Sequence, residues 1–120
     1  MVVALLALVA APNLDAFDAA NLALTSCSYA AFRDANASNV SEAGFERALD
    51  TACADEFAAL RREIVAIERS RGESGPRADA FADRQIARFR ADFRRQYARR
   101  AEDAANLEAL QRALEQENRK

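Results

Sequence analysis

Cys27, in the stretch LTSCSY, and Cys53, in the stretch DTACAD, are the only thiols in this chain of 120 residues. Two thiols can form a redox couple, ligate a metal, sit free in a core or join as a disulfide. Their spacing is far from the C-x-x-C of redox motifs, and no neighbouring cation obviously lowers a thiol pKa. Support for a metal site is weak, because the chain has no histidine and carboxylates are the only other common ligands. A disulfide has a geometric argument behind it. The midpoint of the pair is residue 40, inside the small polar run Asn36-Ala37-Ser38-Asn39-Val40-Ser41, which reads as a turn. In an antiparallel helical hairpin, residues equidistant from the turn lie opposite each other, and each cysteine is thirteen residues from Val40. A Cys27–Cys53 bridge is therefore expected, provided that the first helix runs to about Ser38. A stop at Asp34 would carry the Cα atoms past the roughly 7 Å bridging limit. Two buried free thiols are the alternative.

Other chemistry has less to work with. Without histidine there is no common general base near neutral pH, and Ser-His-Asp and Cys-His arrangements are ruled out. Gly72 and Gly75 lack the strand-loop-helix context and the lysine of a phosphate-binding loop. Carboxylates are plentiful but fall at solvent positions of the expected helices. We expect a protein that is not an enzyme, with no catalytic residue, no metal and no cofactor.

The second noticeable stretch is residues 84–100, RQIARFRADFRRQYARR. Arg84, Arg88, Arg90, Arg94, Arg95, Arg99 and Arg100 alternate there with Ile86, Phe89, Phe93 and Tyr97. One reading is a basic amphipathic helix for an anionic membrane or an acidic partner. The other is a core-facing apolar stripe whose arginines pair with Asp83, Asp92 and acids of the earlier helices, such as Glu42, Glu46, Asp50, Asp55 and Glu56. Charge is unevenly divided. Residues 1–60 hold eight acids and two arginines, and residues 61–120 hold eleven acids and fifteen bases.

The elements that must position these residues are helical. Thirty alanines account for much of the 51% hydrophobic content, while Gly (3) and Pro (2) are scarce. The spacing predicts one helix over about 13–37, with Asn13 as cap and an apolar stripe of Leu14, Phe17, Ala20, Leu24, Cys27 and Ala31. It predicts a second over 40–71, capped by Asn39 or Ser41, with Phe45, Leu49, Cys53, Phe57, Leu60, Ile64 and Ile67 on one face. Gly72 ends it. A third is expected over 76–118, with Ser74 or Gly75 as cap and Pro76 at its first position. That third helix would be roughly 60 Å long against roughly 45 Å and 35 Å for the others, so it should overhang them.

The expected fold is all-α: a disulfide-stapled helical hairpin plus a long third helix, forming a single domain over 12–120. The overhang carries Ala101, Ala104, Leu107, Leu110 and Leu114 with nothing predicted to cover them. An uncovered stripe implies a homo-oligomer or a protein partner, most simply an antiparallel coiled coil with a second copy. Peripheral binding to an anionic membrane through residues 84–100 is the alternative function.

MVVALLALVAA, residues 1–11, is too short to span a bilayer and resembles the apolar part of a signal peptide, although no basic residue precedes it. Leu24-Thr25-Ser26-Cys27 resembles a lipid-attachment box only superficially, since Asp15 and Asp18 interrupt the lead. A periplasmic or secreted location is therefore expected, and with it no nucleic-acid partner. Asn36-Ala37-Ser38 and Asn39-Val40-Ser41 match the N-glycosylation pattern but read as turn residues.

Overall fold

The computed structural model describes residues 14–120. The expected leader over 1–11 and the expected Asn13 cap lie outside them. The described chain is helical throughout: α1 (Leu14–Ala37), α2 (Glu42–Ala52), α3 (Ala54–Ser70), α4 (Gly75–Ala98) and α5 (Arg100–Asn118). It forms an elongated particle of 83 × 39 × 18 Å.

Three long rods underlie the five helices. α2 and α3 are the expected second helix, bent at Cys53 (φ −113°, ψ 20°). The hydrogen-bond ladder runs through the bend, from the Cys53 amide to the Leu49 carbonyl and from the Phe57 amide to the Cys53 carbonyl. α4 and α5 are likewise the expected third helix, bent at Arg99 (φ −90°, ψ 1°). Neither bend holds a glycine or proline, so neither is marked by a residue that breaks helices.

The first turn is tighter than a simple break in polarity suggests. Asn39 does not cap α2. It has φ 49° and closes α1 in the left-handed conformation. The Val40 amide reaches the Ala35 carbonyl at 2.9 Å and the Asn39 amide reaches Asn36 at 3.1 Å, the paired bonds of a Schellman motif. Ser41 is the cap of α2, its hydroxyl accepting from the Gly44 amide at 3.1 Å. A Cβ at Gly44 would come within 2.4 Å of Val40 Cγ1, so a side chain there would force the Val40 side chain to shift. Gly72, at φ 93°, closes α3 with the same bond pair, from Glu73 to Glu68 and from Gly72 to Arg69. Ser74 caps α4.

The core follows the predicted stripes. Phe45, Leu49, Cys53, Phe57, Leu60 and Ile64 are all buried, facing Leu24, Ala31 and Ala35 of α1 and Ala82, Ile86 and Tyr97 of α4. Ile67, Phe89 and Phe93 are half-buried. No residue of α5 is buried.

Candidate functional site: the clamp, the arginine helix and the projecting helix

Cys27 and Cys53 form the disulfide, with S–S 2.11 Å and Cα–Cα 5.9 Å across a separation of 26 residues. The expected condition holds: α1 continues to Ala37, and the Ser38 amide still reaches the Asp34 carbonyl. The bridge sits at the α2–α3 bend, with Cys27 Sγ 3.4 Å from the Ala52 carbonyl oxygen. A disulfide sulfur carries no proton, so this is a sulfur–carbonyl contact rather than a hydrogen bond. Ligand atoms of Glu56, Cys27 and Cys53 lie within 4.8 Å of one another. With the sulfurs bonded together the trio does not offer two thiolates to an ion.

The structure divides the seven arginines of residues 84–100 by the face of the rod they occupy. Arg90, Arg94 and Arg100 reach across to other elements, although Arg90 and Arg94 remain exposed. Arg90 Nε is 3.0 Å from Asp50 Oδ1 and its guanidinium lies 4.6 Å from the Phe57 ring centroid. Arg94 Nη1 is 3.5 Å from Glu46 Oε1. Arg100 covers Tyr97, 3.9 Å from its ring centroid, donates to the Tyr97 carbonyl at 3.0 Å, and reaches Asn39 Oδ1 and the Val40 carbonyl at 3.4 Å. Arg90 and Arg94 brace α4 against α2 and α3, and Arg100 braces the start of α5 against the α1–α2 turn.

Arg84, Arg88, Arg95 and Arg99 are exposed. Arg84 lies over Phe81 on its own helix, 5.9 Å from the centroid. Arg95 pairs with Asp92 and Arg99 with Asp103, both local pairs along the rod. Arg88 makes no ion pair or ring contact among the described residues. Sequence reasoning passed over Arg61, which bonds Asp83 across α3 and α4 at 2.8 Å and lies 3.7 Å from Asp79. That hydrogen bond lowers the Asp83 carboxyl below its ordinary value and raises the Arg61 guanidinium.

The five overhang residues are all exposed, but they do not form one stripe. Leu107, Leu110 and Leu114 share a side, each 57% exposed. Ala101 precedes Leu110 by nine residues, about two and a half turns, and so falls on the opposite side. Ala104 lies between the two faces. The apolar surface of α5 is therefore a compact patch of three leucines.

A separate open groove of about 300 Å³ lies at the other end of the particle, between Leu14 and Phe17 of α1, Ile64 and Ile67 of α3, and Phe81 and Phe89 of α4. Among the described residues no helix is long and apolar enough to cross a membrane.

The fold defines a disulfide-clamped helical bundle with a projecting helix. No family model matches the chain, and neither curated proteins nor solved structures contain a match to it.

Proposed function

We propose that the protein is a non-enzymatic interaction module that docks through α5, in the simplest case onto α5 of a second copy. The observation that carries this reading is the exposure of α5: none of its nineteen residues is buried, and Leu107, Leu110 and Leu114 are each 57% exposed on one side. A helix without tertiary packing is marginal on its own, and covering its apolar side would stabilise it. Three leucines are a small patch beside the roughly 1,000 Å² of a stable interface. Association is accordingly concentration-dependent rather than obligate. The disulfide supports work in an oxidising compartment, periplasmic or extracellular.

Light scattering across a concentration series tests the reading. The wild-type chain should rise from monomer mass with concentration, and a variant with Leu107→Ser, Leu110→Ser and Leu114→Ser should not. A wild-type chain that stays monomeric at millimolar concentration would remove self-association.

A further inference from the structure

The geometry points to the outer face of α4 as a docking surface for an anionic lipid bilayer, made by Arg84, Arg88 and Arg95 with Arg77 in line. Arg77, Arg84, Arg88 and Arg95 follow one another at steps of seven, four and seven residues. Eighteen residues make about five whole turns, so all four lie on one side of the helix in a row about 27 Å long. All four are exposed.

The row is separate from the arginines that hold the fold. Arg61, Arg90 and Arg94 reach acids on another helix. No described acid of another helix pairs with the outer row. Its one acidic pair at bonding distance is local, Asp92 to Arg95, while Arg77 and Arg84 border a concavity shared with Glu68 of α3 and Glu73. Ala80, Ala87, Ala91 and Ala98 stand between the arginines and add no bulk. A guanidinium row that runs about 27 Å along one helix, with a concavity only at its Arg77–Arg84 end, fits an extended field of phosphates better than a peptide, which needs a groove along its length. The disulfide favours lipid over nucleic acid, because oxidising compartments border membranes and hold little nucleic acid. α4's apolar side is occupied by the core, so contact is electrostatic and reversible.

α5 sharpens the expectation. It carries Glu102, Asp103, Glu108, Glu115 and Glu117 against Arg100 and Arg112, five acids to two bases. An anionic surface repels it, and the contact is confined to α4.

Co-sedimentation of the oxidised chain with vesicles tests this. Binding is expected to phosphatidylglycerol-containing vesicles at low salt, not to pure phosphatidylcholine, and is expected to fade at high salt. Each surface arginine is worth about fivefold in lipid affinity, so R84Q/R88Q/R95Q should lose on the order of a hundredfold. R90Q/R94Q, compared where circular dichroism shows it folded, should bind like wild type. Absence of binding at low salt, equal binding by the outer-row variant, or binding to duplex DNA but not to vesicles would each overturn the proposal. The assay is independent of the self-association of α5.

Discussion

Tyr97 of α4 lies face to face on Phe45 of α2, with ring centroids 4.3 Å apart and planes 11° from parallel. Phe32 of α1 meets both rings edge-on, at 6.0 Å and 5.3 Å. The Tyr97 hydroxyl donates to the Val40 carbonyl, and the Val40 amide closes the α1 turn. One fully buried side chain thus ties α4 to the tip of the hairpin, two residues before the bend from which α5 departs.

Truncating that ring should be costly in a graded way. Tyr97→Phe leaves the Val40 carbonyl with the Arg100 guanidinium and should cost about 1 kcal/mol. Tyr97→Ala also opens a cavity and should cost about 3–5 kcal/mol. Urea unfolding separates the two. Equal costs would mean that the aromatic stack carries no weight.

Adjacent arginines should behave differently. Arg100→Ala removes the cover over Tyr97 and the bonds to the turn, with an expected loss of about 1–2 kcal/mol. Arg88 reaches no other helix and Arg99 only Asp103, one turn further along the same rod, so Arg99→Ala and Arg88→Ala should stay within about 0.5 kcal/mol of wild type. The same urea midpoints decide it. A loss at Arg99 equal to that at Arg100 would contradict the division between arginines that reach other elements and those that do not.

Reduction of Cys27–Cys53 reopens a loop of 26 residues, worth about 3.5 kcal/mol in the chain-entropy model. The double variant Cys27→Ala/Cys53→Ala should lose a similar amount and become indifferent to reductant. Wild-type stability unchanged by a thiol reductant would contradict a structural clamp.

The Arg61–Asp83 bond gives stability a sign with pH. The Asp83 carboxyl is held below its ordinary value of 3.8 by the guanidinium. Its contribution is present above that value and is lost as pH falls through the lower, folded one. The same bond holds the Arg61 guanidinium above its ordinary value, so its own contribution disappears only at extreme alkaline pH. Both groups are exposed, so the effect is small. Asp83→Asn should flatten the acid limb of the stability profile and leave the neutral region nearly unchanged. An acid limb identical to wild type would remove the bond from the balance.

Much of this was legible in the residues. Cys27 and Cys53 stand symmetrically about Val40, and the structure joins them. The stripe from Phe45 to Ile64 is buried as the spacing requires. The bends were not legible, because Cys53 and Arg99 are compatible with helix; the bend at Cys53 coincides with the disulfide. The Asn39 side chain suits an N-cap, but the same residue also tolerates the left-handed conformation that closes α1. The split among the arginines needed helix phase combined with neighbours: Arg94 and Arg95 are consecutive, yet one reaches Glu46 on α2 and the other only Asp92 on its own helix. Spacing to the nearest apolar neighbour groups Ala101 with Leu107, Leu110 and Leu114. Counting turns across the whole segment separates them.

The most direct measurement is the mass of the oxidised chain by light scattering over a concentration series, beside a chain ended after Ala101, which keeps Arg100. If α5 is the docking element, the full chain gains mass with concentration, and the shortened chain remains a folded monomer. If both chains gain mass alike, docking lies elsewhere on the bundle. If neither gains mass, α5 does not dock onto a second copy.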